Sequence, residues 1–369
     1  MIQPLRIGII GGGANSAIGP SNVAAIRLDG NYRIGPCVFS HQEDENRRSH
    51  YDYGLPWSGH AGYLGEWLDQ NRDEFDLLAL LTPSIDHASY IKEIASRGLA
   101  FVTEKPVACS LEEVHAVETA LSEAGAIEAR FVHNYSGYPM FREMVLRLNE
   151  VRIGPLHSVR VEMPSDSFAR ERVIGKPQIW RQSDPQVPMI MLDLGTHMHH
   201  LVRMAVGKWK ARVRARMHQL VNGLGVIDNV EIWEERSDGI SVSYWMSKAH
   251  LGEKNGLRIA VYGRNGALIW HQMDPDHLIE TDIDSNLTVV NRGAISAEAS
   301  SRDRFKAGHP TGFIEAFASY YSDLAEDILA AQSNGSRSRW IRPIQDAFDG
   351  IRFLEAAARS HHTGEWIET

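Results

Sequence analysis

The chain has 369 residues, of which 43% are hydrophobic, enough to bury sizeable cores and to form two domains. A formal net charge of −9 leaves no basic stripe to neutralise phosphates, so nucleic acid is excluded as the expected partner. No apolar run approaches the roughly 18 residues of a membrane span. The opening residues Met1-Ile-Gln-Pro-Leu-Arg6 lack a signal peptide's layout, and Cys37 and Cys109 are the only cysteines, so a reducing, cytoplasmic setting is expected.

Leu5 to Ile10 reads as a continuous apolar strand, and Gly11-Gly-Gly-Ala-Asn-Ser-Ala-Ile-Gly19 follows at once. Pro20 to Asp29 then carries helical spacing through Val23, Ile26 and Leu28. A strand, a glycine turn and a helix are the context in which a glycine pattern means dinucleotide binding. Gly11 allows the tight turn, and Gly13 lets the backbone approach a pyrophosphate at the helix N-terminus. The third glycine of a plain G-x-G-x-x-G would fall at Ser16, but here the candidate is Gly19. The loop is thus about three residues longer than the pattern, which places Asn15, Ser16 and Ile18 among the candidate cofactor contacts. An ordinary glycine-rich turn is the plain alternative.

A second strand, Tyr32 to Ser40, ends where NAD enzymes carry an acid for the ribose 2′-hydroxyl. Here the residue is Ser40, with Arg47 and Arg48 on the helix from Glu43 to His50. Loss of the acid removes repulsion against a 2′-phosphate, so NAD and NADP both stay open as cofactor. Asp76 to Thr82 is a buried Leu/Ala strand of the parallel type, ending in Thr82-Pro83-Ser84. His87 opens the next helix, Asp86 to Arg97, facing either the cofactor or the protein interior. Leu99 to Val102 is a further strand running into Glu104-Lys105-Pro106. Pro106 ends the strand, so Lys105 stands at a strand's carboxyl end, where open α/β sheets bind ligands. A solvated lysine at a loop start is the alternative. A helix from Leu111 to Ala124 and a strand from Ala126 to His133 complete a βαβ pattern.

Beyond His133-Asn134-Tyr135 the rhythm changes. A helix from Pro139 to Asn149 and an alternating strand from Leu156 to Met163 lead into a polar, proline-punctuated loop holding Trp180 and Arg181. The loop ends at Met189-Ile-Met-Leu-Asp193-Leu-Gly-Thr-His197-Met-His-His200. Asp193 and His197 are four residues apart, on one face if the stretch is helical. A histidine suits removal of a hydroxyl proton near neutrality, with the aspartate holding substrate or imidazole. An aspartate at a helix start above a satisfied histidine is the alternative. His197, His199 and His200 lack the spacing of a zinc site, so no metal is expected. Strands are predicted around 213–218, 226–234, 240–247, 257–262, 267–272 and 277–281, then helices over 313–330 and 343–360.

Taken together, the glycine loop, Glu104-Lys105-Pro106, Asn134-Tyr135, Trp180-Arg181, Asp193-x-Gly195-Thr196-His197 and Gly308-His309-Pro310-x-Gly312 resemble the Gfo/Idh/MocA family (glucose–fructose oxidoreductase, inositol dehydrogenase, rhizopine catabolism). The resemblance spans essentially the whole chain. It implies an N-terminal Rossmann domain, placed here at 1–130, and a C-terminal α/β domain at 131–369. The second domain would carry a largely antiparallel open sheet that mediates a homodimer or homotetramer, with the last helix packing back on the first domain. It implies NAD(P)-dependent oxidation or reduction of a sugar, cyclitol or sugar-derivative hydroxyl. Lys105 would polarise the reacting oxygen, Asp193 position the substrate and His197 accept the proton. Implied cofactor contacts are Gly11, Gly13, Asn15, Ser16, Ile18, Ser40, Arg47, Thr82, Pro83, His87, Glu104, Lys105 and Asn134. Implied substrate contacts are Lys105, Tyr135, Trp180, Arg181, Asp193, His197 and His309. Alternatives are a sugar-nucleotide or keto-sugar reductase, an NAD-dependent glycosidase and a non-enzymatic nucleotide-sensing regulator.

Overall fold

A computed structural model describes residues 3–59, 63–170, 184–221, 223 and 225–369. They divide into two compact units, Met1–Gly137 with Phe313–Phe348 and Tyr138–Gly312 with Asp349–Thr369. The boundary expected at residue 130 is a single cut, whereas the backbone passes between the units three times.

The first unit is built on β1 (Leu5–Gly11), α1 (Gly19–Leu28), β2 (Tyr32–Val38), α2 (Glu43–Asp52), α3 (Leu64–Asn71), β3 (Leu77–Leu81), α4 (His87–Ala95), β4 (Phe101–Thr103), α5 (Leu111–Ala124) and β5 (Ala129–Phe131). The strands form one parallel sheet in the order β2-β1-β3-β4-β5. Every residue of β3 is buried, as a parallel strand covered on both faces requires. Strand order reverses between β1 and β3, and the carboxyl ends beside that switch are where such sheets seat a ligand. The Ser110 hydroxyl caps α5 by accepting the Glu113 N–H at 3.2 Å, and the Glu113 carboxylate takes the Cys109 N–H at 2.7 Å. α3 carries too few residues for its apolar period to stand out, and sequence reading misses it.

The second unit opens with α6 (Pro139–Asn149) and β6 (Leu156–Pro164), followed by α7 (Thr196–Val206) and β7 (Ala211–His218). The strands β8 (Asn229–Arg236), β9 (Ser241–Ser247), β10 (Arg258–Gly263), β11 (Gly266–His271), β12 (Asp274–Asp282) and β13 (Leu287–Asn291) come next. α8 (Phe313–Ser333) belongs to the first unit. α9 (Ile344–Thr363) and β14 (Ile367–Glu368) close the chain, residues from Asp349 onward belonging to the second unit. The nine-stranded sheet runs β13-β12-β11-β10-β6-β9-β8-β7-β14. It is antiparallel except for β6 against β9. Burial along β7 alternates residue by residue, as for a sheet with one covered face.

α8 completes the core of the first unit rather than the second. Phe317, Tyr321, Leu324 and Ile328 join Ile7, Ile9, Val23 and Ile26 in one apolar cluster. The Tyr320 hydroxyl donates to the Phe131 carbonyl at 2.6 Å, and Ser322 donates to the Asp29 carboxylate at 2.6 Å. Sequence reading had only the helix period to go on, which shows a buried face but not what covers it. Among the described residues no helix is long and apolar enough to cross a membrane.

Candidate active site

In the first unit the candidate residues gather at the carboxyl edge of the parallel sheet. Gly11 holds φ at +77°, a left-handed conformation that a Cβ would strain. At Gly19 a Cβ would lie 2.0 Å from the Gly12 carbonyl oxygen, so only glycine lets α1 start this close to the loop. Gly19 therefore fills the role of the displaced third glycine. Ser16 acts within the loop itself, where its hydroxyl accepts the Gly19 N–H at 2.7 Å and caps α1. Ala14 N–H is held by the Ser49 hydroxyl at 3.1 Å, and Asn15 donates to Glu45 at 3.2 Å, tying the loop to α2. Ile18 supplies the carbonyl that accepts from the Asn22 amide. This glycine cradle at the amino end of a helix fits a dinucleotide's phosphates.

Ser40 follows β2, and its hydroxyl accepts the Gln42 N–H at 3.1 Å. The first turn of α2 carries Glu43, Asp44 and Glu45. Arg47 is exposed but engaged, 2.8 Å from the Glu43 carboxylate and 4.3 Å above the Trp57 ring centroid. After β3, the Thr82 side chain packs against Gly11, and Pro83 leads into α4. His87 is fully buried, its ring nitrogens 2.6 Å from the Pro106 carbonyl and 2.9 Å from the Thr82 carbonyl. Burial lowers its pKa despite both carbonyl partners. The ring thus fastens the turn after β3 to the turn after β4.

That second turn carries Glu104 and Lys105, with Lys105–Pro106 in the cis form. Glu104 is 3% exposed. Its carboxylate accepts the Asn22 amide at 3.0 Å and the Lys105 N–H at 3.1 Å, and the Tyr321 hydroxyl donates to Asn22 at 2.7 Å. Burial raises the Glu104 pKa, opposed first by the positive charge of Lys105. A buried chain from α8 through α1 therefore sets the backbone that presents Lys105. Asn134 and Tyr135 lie in the 3-10 turn Asn134–Gly137 just after β5, with the Tyr135 ring edge-on to Phe313.

In the second unit Asp193 lies in a π-helical turn, Met191–Gly195, that runs directly into α7. The regular helix expected across this stretch is therefore widened at Asp193, and the i, i+4 geometry inferred for Asp193 and His197 does not apply unchanged. Such bulges recur at functional sites. Asp193, His197, His199 and His200 are all buried. The Asp193 carboxylate accepts from the Lys248 ammonium at 2.9 Å. His309 is exposed, and its carbonyl accepts from the Arg292 guanidinium at 2.8 Å. Trp180 and Arg181 lie outside the described residues.

Residues 5–130 match the model of an oxidoreductase family with an NAD-binding Rossmann fold, and residues 141–269 match that of the GFO/IDH/MocA C-terminal domain. The chain belongs to the Gfo/Idh/MocA oxidoreductase family. Its first unit contains the family's NAD-binding Rossmann domain. An oxidoreductase from Sinorhizobium meliloti is 27% identical, with 99% of this chain and 100% of that chain covered and a TM-score of 0.86. An inositol dehydrogenase homolog from Azotobacter vinelandii, crystallised with NADH and myo-inositol, is 22% identical, with 100% and 98% covered and a TM-score of 0.90. A levoglucosan dehydrogenase in complex with NADH and levoglucosan is 19% identical, with 99% of each chain covered and a TM-score of 0.84. The likeness to these last two is one of fold. No curated protein matches the sequence.

Lys248 is the charged residue in this Gfo/Idh/MocA chain that sequence reading missed. It follows β9, in which Val242, Tyr244 and Met246 face the covered side. Continuing that alternation puts position 248 on the same side, a signal that was available. The His199 ring stacks on Phe353 at 4.7 Å, and burial, with Arg203 nearby, pushes its pKa down to about 3. The folded state thus refuses a proton that the unfolded chain takes up below about pH 6.5. Above that pH the ring is neutral in both states and its titration contributes nothing, whereas between pH 6.5 and 3 it increasingly opposes folding as the pH drops. His199→Phe keeps a ring against Phe353 and is expected to flatten the fall of Tm below pH 6.5. Burial also lowers His50 and His87, which leave a residual slope. A variant as acid-sensitive as the parent would acquit His199.

Proposed function

We propose that this chain is an NAD-dependent dehydrogenase acting on a hydroxyl of a sugar, cyclitol or related carbohydrate. The observation that carries the reading is Lys105. It is held at the carboxyl edge of the NAD-binding sheet by a carboxylate buried beneath it and a histidine fastening the turn. A cation carried on that fixed backbone serves to stabilise charge developing on a substrate oxygen. The relatives crystallised with myo-inositol and with levoglucosan support a polyhydroxylated ligand.

The residues that would hold the dinucleotide are Gly11, Gly13, Asn15, Ser16 and Ile18 at the phosphates, and Ser40 and Arg47 toward the ribose. Thr82, Pro83, His87, Glu104 and Asn134 would shape the rest of the pocket, His87 and Glu104 by fixing backbone. NAD suits the ribose end better than NADP, because three acidic residues open α2 and Arg47 is already paired with Glu43. Bound nicotinamide supplies the hydride acceptor. Asp193 holds the substrate hydroxyls in place, and a ring nitrogen of His197 takes the hydroxyl proton as the carbinol carbon becomes a carbonyl. Lys105 stabilises the oxygen through that change. Tyr135, Trp180, Arg181 and His309 are the proposed further substrate contacts. We also propose a homodimer or homotetramer joined through the open face of the nine-stranded sheet, on which Trp233 is 43% exposed.

Turnover with NAD across inositols, anhydrosugars, aldoses and alditols tests the reading, scored by absorbance of the reduced nicotinamide. At least one member should be oxidised with saturation kinetics. No oxidation by any member, and no reduction of the matching ketones with NADH, would reject it.

A further inference from the structure

Lysines are almost never fully buried unless they are paired, and Lys248 comes close to that limit. Its side chain is 8% exposed, and that of its partner Asp193 is 10% exposed. The backbone on both sides is fixed: the Lys248 N–H donates to the Asp228 carbonyl at 2.8 Å, and its carbonyl accepts the Phe168 N–H at 2.8 Å. The ammonium lies 5.2 Å from the centroid of the Phe168 ring, an attractive cation–π placement. Lys248 is therefore not a mobile surface chain that happens to meet a carboxylate.

Folding alone gives little reason for such a pair. Taking two charges out of water cancels most of their mutual attraction, and an apolar pair of the same volume commonly packs as well or better. The neighbours on the same face, Tyr244 and Met246, are both buried, so the surroundings on that side are largely apolar. What a buried ion pair supplies, and an apolar pair does not, is a carboxylate fixed in charge and direction. Asp193 in turn sits on the π-helical turn leading to His197, where the backbone is already displaced from regular helix.

We propose that Lys248 is a positioning residue for the carbohydrate site: its ammonium holds and aims the Asp193 carboxylate through a contact to Oδ2, so that Asp193 orients the substrate's hydroxyls. The proposal rests on the reading that Asp193 orients the substrate. Lys248 itself touches neither the substrate nor the dinucleotide. Its effect should therefore disappear when Asp193 no longer carries a charge.

The test is a double-mutant cycle on the full chain, using NAD and the best carbohydrate of the panel above. Lys248→Met is expected to lower kcat/KM by 10- to 100-fold, mostly through KM for the carbohydrate, while the Kd for NAD by calorimetry stays within about twofold. Lys248→Arg, which keeps a cation, should recover most of the loss. In the Asp193→Asn background the same Lys248→Met change should alter kcat/KM by less than about twofold. The double variant buries no unpaired charge, so it keeps the test open if Lys248→Met alone fails to fold. Equal losses from Lys248→Met in both backgrounds would overturn the proposal, as would an unchanged KM in a folded Lys248→Met variant. An Asp193→Asn variant with unchanged kcat/KM would instead remove the role given to Asp193, and a panel with no substrate would remove the carbohydrate reading. Either outcome takes the role of Lys248 with it, and the cycle tells the three failures apart.

Discussion

Lys105→Ala and His197→Ala are each expected to lower kcat by roughly 10²-fold or more, the scale of a lost charge stabiliser or general base. A hydride leaves a carbinol carbon only as the hydroxyl proton departs, so loss of either group stalls the same step. Lys105 is tied to that step by its place at the sheet edge and by the Glu104 carboxylate under its backbone N–H, 3.1 Å away. His197 is assigned by residue type, burial and its place at the start of α7 behind the widened turn. Dinucleotide affinity should survive His197→Ala, because the matched NAD-binding domain, residues 5–130, lies in the other unit. If the two side chains serve one hydroxyl, the double variant should lose far less than the product of the single losses. Near-normal turnover in either single variant would sink the assignment.

Gly13→Val is expected to weaken NAD binding by roughly 10²-fold or more, since the second glycine of the loop is where backbone must approach the pyrophosphate. A Cβ at position 13 would lie 2.9 Å from the Ser49 hydroxyl, the group that holds the Ala14 N–H. The substitution therefore also overpacks the contact between the loop and α2, at a cost of about 1–3 kcal/mol in stability. The two effects separate when Ser49→Ala is added. That change relieves the crowding and should restore Tm, but leaves the valine methyls against the cofactor's path, so affinity should stay low. Recovery of NAD affinity together with Tm would show that Gly13 matters for packing and not for the phosphates.

Much of this architecture is legible in residue order. Ile7–Ile10 and Leu77–Leu81 are continuous apolar runs, and such runs followed by glycine or proline turns leave little choice but buried parallel strands. The glycine at position 19 was recognisable as the displaced third glycine because strand and helix bracket the loop. The role of Ser16 as a cap for α1 was not, since a hydroxyl in a glycine loop suits a phosphate and a helix N-terminus equally well. His87 shows the same limit. Its position in the first turn of α4 is plain in sequence, yet only the fold brings the Thr82 and Pro106 carbonyls to its two nitrogens. The membership of α8 in the first unit, the α1–Glu104–α8 chain and the Lys248–Asp193 pair all join residues far apart in sequence. The widened turn at Met191–Gly195 shifts a helical register just after Pro188, a proline that sequence reads only as a helix start.

The central claim is that a hydride moves from a carbohydrate carbon to the nicotinamide and that this is the net reaction. The most direct measurement uses a substrate deuterated at the carbinol carbon, incubated with NAD and analysed by mass spectrometry. The predicted result is deuterium on the reduced dinucleotide, one equivalent per carbonyl product, and a slowed rate wherever chemistry limits turnover. Cleavage of a glycosidic bond with no accumulated reduced dinucleotide would contradict it and point to transient oxidation in the service of hydrolysis.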